Sequence, residues 1–139
     1  MLRGQPTLVL PDGISRHTVV AVTELASERA RQITEEGYTP DWDDSHHRPA
    51  DLALAAAAYA AFSAMESEST REHHCQSLWG FVPGFSGIIG QLWPWPAQWF
   101  KPRDRRRELI KAGALILAQL ERLARQAERE DAQGPEAGR

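Results

Sequence analysis

The sequence has one cysteine, Cys75, so an intramolecular disulfide framework is excluded and a reducing cytoplasm fits. It has no apolar run of the ~18 residues that a membrane helix needs. Its N-terminus lacks a charged region followed by an apolar stretch, so no signal peptide is expected. Lysine is scarce, with Lys101 and Lys111 against fourteen arginines. The net charge of -3 excludes a general nucleic-acid coat or a binder of anionic membranes, so neither long nucleic acid nor membrane is expected as a partner. What is present is ordinary for a globular chain: 139 residues, 42% of them hydrophobic and 25% charged. That suffices for one domain with its own core, and it argues against disorder throughout, collagen or a coiled coil alone.

Charge is unevenly spread. Between Glu35 and Asp51 lie six acids (Glu35, Glu36, Asp41, Asp43, Asp44, Asp51) and one cation, Arg48; between Lys101 and Arg107 lie five cations and one acid, Asp104. Arginine suits planar or phosphate groups because its guanidinium is a fixed fork of donors. The two blocks can equally attract one another across the fold.

Three segments carry helical periodicity. From Thr18 to Glu36 the apolar residues Val19, Val22, Ala26, Ala30 and Ile33 fall three and four apart, and Gly37 is a natural stop. Pro49 fits the first position of a second helix, with Asp51 two residues on, and alanine-rich sequence carries it to Ser67 through Leu52, Ala56, Tyr59, Ala60 and Phe62. A last helix is expected from Pro102, with Leu109, Ile110, Gly113, Ile116, Leu117, Leu120 and Leu123 in phase. Gly113 costs that helix stability unless a neighbour packs closely there. Residues 37–48 lack periodicity and read as a loop. Residues 68–100, rich in Gly, Trp and Pro, read as a long ordered loop with at most a short helix. Leu8, Val9 and Leu10 suggest a short strand or packed arm. The expected architecture is all-α: a compact bundle of about three main helices over residues 1–130, with a flexible tail over 131–139.

Three clusters carry chemistry. Asp41, Asp43, Asp44, His46 and His47 offer oxygen and nitrogen donors, but the spacing matches no EF-hand, and helix caps or ion pairs account for acids there equally well. His73-His74-Cys75 has no partner cysteine for a zinc knuckle and reads as surface or packing. The third cluster says most. Trp93, Trp95, Trp99 and Phe100 run into Lys101, Arg103, Arg105, Arg106 and Arg107, with Lys111 one turn further on. Aromatic faces stack on bases, while arginines and a helix N-terminus hold phosphate oxygens. The patch is short, which suits a small nucleotide better than long DNA. The alternative is that the tryptophans plug the bundle and the arginines wet its rim. Glu24 and Glu28, one turn apart, would begin a magnesium site of the kind in the MazG-like all-α pyrophosphohydrolases, but no second inward acid pair is in evidence.

Glu28-Arg29-Ala30-Arg31-Gln32, Glu36-Gly37-Tyr38-Thr39-Pro40, Asp43-Asp44, Leu52-Ala53 through Tyr59-Ala60, Trp93-Pro94-Trp95, Phe100-Lys101-Pro102, and Arg106-Arg107 with Leu109 through Ala118 resemble, in this order, a small-protein family common in tailed phages and prophages. The match covers residues 20–125. The chain departs at Trp42, where the family has His, at Ala50-Asp51, where it has Gly-Glu, and at Gln119, where it has Glu; these changes touch the acidic loop more than the aromatic-basic segment. Small phage proteins of this size include sponges for the nucleotide signals of bacterial immunity, cyclic ADP-ribose derivatives and cyclic oligonucleotides among them. The resemblance implies such a protein in the host cytoplasm, binding without turnover and with no cofactor. In that reading a base stacks on Trp93, Trp95 or Trp99, with Phe100 and Tyr38 in the same set. Arg105, Arg106, Arg107 and Lys111 hold a diphosphate, with Lys101 in the same ligand-binding set, and Asp43 and Asp44 accept from ribose hydroxyls. A closed pocket would call for a homo-oligomer whose partner supplies a lid. The rival expectations are a metal-dependent pyrophosphohydrolase using Glu24, Glu28, Asp43 and Asp44, and a helical inhibitor of a host protein.

Overall fold

The structure, a computed structural model, describes residues 7–46, 48–65 and 88–134. Among them are five α-helices, one 3-10 turn and no strand, so the fold is all-α. The helices are α1 (Arg16–Glu35), α2 (Pro40–His46), α3 (Asp51–Ser63), α4 (Ile88–Leu92) and α5 (Arg105–Gln133). The 29-residue α5 is the spine: α3 packs along it most extensively, with α1 and α2 beside it and α4 against α3. The expected arm at Leu8 and Val9 is neither strand nor packed, since these residues are 74% and 81% exposed.

α1 begins where Ser15 Oγ accepts the Thr18 N–H at 3.2 Å. It ends at Gly37, whose φ of +75° suits glycine, and Tyr38 N–H then donates to the Gln32 carbonyl at 3.0 Å. Its buried residues are not the apolar ones expected: they are Glu28, Arg29 and Gln32, while Val19, Ala26 and Ala30 are exposed. The correction has a physical cause. α1 docks through ion pairs, and Arg29 alone donates to Glu121 on α5 (3.0 Å to each oxygen), to Asp43 on α2 (3.1 Å) and to the Tyr38 carbonyl (3.2 Å).

The segment expected as a loop over 37–48 contains α2. Two turns are too few to show periodicity, and the helix is held from outside by Asp43 on Arg29 and by Asp44 on Arg125 and Arg129. α3 starts at Asp51, whose carboxylate accepts the Arg48 N–H at 3.0 Å, and it stops at Ser63, short of Ser67. Pro49 lies outside it. Its alanines let α5 approach closely: Ala55 and Ala58 are wholly buried and pack in one core with Leu52, Tyr59 and Phe62 of α3 and Ala112, Leu115 and Ala118 of α5. The core is completed by Ile89, Trp93 and Phe100.

From Leu92 the chain is irregular, as Pro94 and Pro96 require, apart from a 3-10 turn over Ala97–Trp99. His73, His74 and Cys75 lie outside the described residues. α5 begins at Arg105, three residues after the expected Pro102, because Asp104 is its N-cap and accepts the Arg107 N–H at 2.9 Å. It continues past Arg129 to Gln133. At Gly113 an added Cβ would overlap the Leu25 side chain of α1, which is the close neighbour that a mid-helix glycine implied. The apolar stripe of α5 is a further correction: Leu109, Ile116, Leu120 and Leu123 are each half exposed, and the helix buries Ala112, Ala114, Leu115 and Ala118 instead. Among the described residues no helix is long and apolar enough to cross a membrane.

Candidate functional site

A cavity of about 590 Å³ opens between α1, α2, α3, α5 and the segment after α4. Six aromatic side chains line it: Tyr38, Trp42, Tyr59, Trp93, Trp95 and Trp99. Each is placed by a local cause. The Gly37 turn sets Tyr38. Trp42 and His46 stand one turn apart on α2, so their rings stack at 3.5 Å and 10°. Tyr59 forms the floor, with Trp93 edge-on at 5.5 Å. Trp93 Nε1 donates to the Pro96 carbonyl at 3.0 Å and sets the tight turn that presents Trp95 edge-on to Trp93 at 5.2 Å. The 3-10 turn carries Trp99, which is half exposed.

The polar lining is mixed. Lys111 Nζ donates to the Lys101 carbonyl at 2.6 Å and lies 5.4 Å above the Tyr59 ring, a cation–π distance. Burial, then the neighbouring Arg107, pull Lys111 below the ordinary lysine value. Tyr59 Oη accepts the Lys101 N–H at 3.0 Å, and burial pushes its phenol up to about 12. Burial raises the Tyr38 phenol too, helped by Glu36 and Asp43. Burial works against ionised Glu28, but hydrogen bonds from Arg31 and Arg107 outweigh it and hold the carboxyl below its usual range. Arg31 also reaches Glu36 at 2.8 Å and Glu35 at 3.4 Å, so its charge is already shared among three acids. Gln32 is 4% exposed and its Oε1 is buried with no hydrogen-bond partner. A carboxamide so placed is a costly group to leave unmet.

The structure brings together half of the expected site. Tyr38, Trp93, Trp95, Trp99, Lys101 and Lys111 line the cavity. Phe100 does not: it is wholly buried beneath Tyr59, stacked at 4.7 Å, because the residue after Trp99 faces the core. Arg105, Arg106 and Arg107 do not line it either. They occupy the first turn of α5, where Arg106 pairs with Glu24 and Arg107 with Glu28 at 2.5 Å. Asp43 and Asp44 face away from it, because their role is to dock α2: Asp43 is wholly buried against Arg29, and Asp44 meets Arg125 at 2.9 Å, Arg129 at 3.3 Å and Arg122 at 3.7 Å. Hydrogen bonding from Arg125 keeps the Asp44 carboxyl below its usual range. Glu24, Glu28, Asp43 and Asp44 thus stand in separate ion pairs, and among the described residues no three His, Cys, Asp or Glu side chains are grouped to hold a metal ion.

Sequence reading missed Arg31, Gln32, Glu36, Trp42, His46, Tyr59 and Leu115 as cavity residues. The Trp42–His46 spacing was the one available signal, and it shows only once α2 is seen to be helical. Comparisons with protein-family models, curated proteins and solved structures find no match.

Proposed function

We propose that this cavity binds a small phosphorylated nucleotide without turning it over, and that the protein sequesters a nucleotide signal of bacterial immunity in the manner of a phage sponge. The observation that carries this reading is the convergence of six aromatic rings and two lysines on one cavity of about 590 Å³, within the usual range for small-molecule sites. A base between Trp95, Trp99 and the Trp42–His46 pair gains about 1–3 kcal/mol per stacking side chain. Lys101 and Lys111 take the phosphate, in place of the arginine block. Gln32 offers an acceptor and a donor on one group, which suits the amino-and-ring-nitrogen edge of a base such as adenine. Both acids at the cavity, Glu28 and Glu36, are bonded to guanidinium groups. That favours a fixed polar wall over a general acid or base.

Titration calorimetry against cyclic ADP-ribose isomers and cyclic dinucleotides tests the reading, with tryptophan fluorescence as a second readout. The expected result is saturable binding, quenching of the cavity tryptophans, and recovery of intact ligand by chromatography. Absence of binding to every compound at high micromolar concentration overturns it. Cleavage of a bound compound overturns the claim of sequestration.

A further inference from the structure

One wall of the cavity is built by α1 and its C-cap, which present Glu28, Gln32 and Glu36 at four-residue spacing on one face. Guanidinium groups hold both carboxylates in place: Glu28 meets Arg31 and Arg107, and Glu36 meets Arg31 at 2.8 Å. Glu36 still acts on the cavity by charge. After burial, which weighs most in each case, its carboxylate adds to the rise of the Tyr38 and Tyr59 phenols and supports the Lys111 ammonium. Between the two acids, the buried Gln32 Oε1 has no hydrogen-bond partner. This wall is therefore a row of acceptors. It suits a group that donates hydrogen bonds and carries no negative charge, which in a nucleotide is the base edge and not the phosphate. The lysines stand elsewhere, Lys111 on α5 and the exposed Lys101 ahead of it, and one N–H of Lys111 is already given to the Lys101 carbonyl. Over the whole lining, His46 apart, three cations face two carboxylates, an excess of one positive charge. Just outside it, Arg107 and Glu35 add one charge of each sign.

We infer that this wall is a charge filter: the cavity admits a nucleotide with one or two negative charges, such as a monophosphate or a cyclic phosphodiester, and rejects nucleoside triphosphates, with Glu36 as a specificity-determining residue. The inference rests on the nucleotide reading of the cavity and narrows its ligand class. The base lies along Gln32, and the phosphate lies at Lys101 and Lys111. Each further phosphate adds a charge that no remaining cation of the lining meets. Glu28 and Glu36 repel it, in a space walled by six aromatic rings where water screens little. A repulsive element of this kind sets selectivity without strengthening the preferred contact. A sequestering protein needs it, because base and sugar alone do not tell a signal from the triphosphates of the cell.

Calorimetry at low salt and without magnesium, on cyclic AMP, AMP, ADP and ATP, holds base and sugar constant while charge rises. Cyclic AMP and AMP should bind at least about tenfold more tightly than ATP, with ADP between. Glu36→Gln keeps an oxygen for Arg31 and removes the charge. It should narrow that gap by at least about threefold while the helical circular dichroism holds. Glu35→Gln, which meets the same arginine but does not line the cavity, should leave the gap unchanged. Affinity that is level or rises with phosphate number overturns the filter. A gap that Glu36→Gln leaves intact, or that Glu35→Gln narrows as much, overturns the role of Glu36. If none of the four compounds binds, the inference falls. The sequestration reading falls with it only if the cyclic ADP-ribose isomers and cyclic dinucleotides fail as well.

Discussion

The aromatic run 93–100 and the basic block 101–107 are adjacent in the chain and fare differently in the fold. The run is irregular, and its turns point Trp95 and Trp99 into the cavity while Trp93 and Phe100 anchor it to Tyr59. The block, apart from Lys101, leads into α5, where the helix disposes its arginines around an axis and α1 supplies acids for them. Residues adjacent in sequence therefore converge only if the backbone between them bends. A helix spreads consecutive residues by its own geometry. The same contrast appears in one step from Trp99 to Phe100, one half exposed at the cavity and the other wholly buried.

The comparison breaks most sharply at that step. Phe100→Ala should cost about 3–5 kcal/mol of stability in urea denaturation, since it empties a wholly buried aromatic site. Arg29→Met should cost a similar 3–5 kcal/mol, because it strands the buried Asp43 carboxylate; a loss below about 1 kcal/mol would show that the ion pairs do not dock α2. Trp99→Ala should leave stability within about 0.5 kcal/mol but weaken nucleotide binding by about 1–3 kcal/mol, read by calorimetry. If Trp99→Ala destabilised as much as Phe100→Ala, the distinction between cavity wall and core would fail.

Acid should act on the α2 dock in a defined direction. Asp44 titrates below its ordinary value of 3.8 in the folded chain. The stability it contributes is therefore complete above that value and is lost as pH falls through the lower folded one. Thermal unfolding followed from about pH 5 to about pH 2 should show it, and Asp44→Asn should flatten the drop. The smallest effect is expected at Arg106→Ala. Its exposed pair with Glu24 should contribute no more than about 1 kcal/mol, and nucleotide affinity should not change, because the residue does not line the cavity.

Much of the helical plan was legible in local chemistry. The Gly37 stop, the alanine-rich α3 and the close neighbour at Gly113 are all where residue preference put them. The direction of burial was not legible. Periodicity marked Val19, Ala26 and Ala30 on α1 and Leu109, Ile116 and Leu120 on α5 as inward, and the fold turns Arg29, Gln32 and the α5 alanines inward instead. An apolar stripe says that a face seeks a partner, without saying whether that partner is the same chain.

The sequence by itself determined that the chain is helical, where its prolines and glycines interrupt it, and that its aromatic residues crowd beside cations. Those are properties of short stretches, set by backbone sterics and side-chain preference. Only the tertiary structure decided that α2 is a helix, that Asp43 and Asp44 anchor it, and that Trp42, Gln32 and Tyr59 share a cavity with Trp95 and Trp99. Each of these depends on which charge meets which across the bundle, and such pairings join residues as far apart in the chain as Arg29 and Glu121.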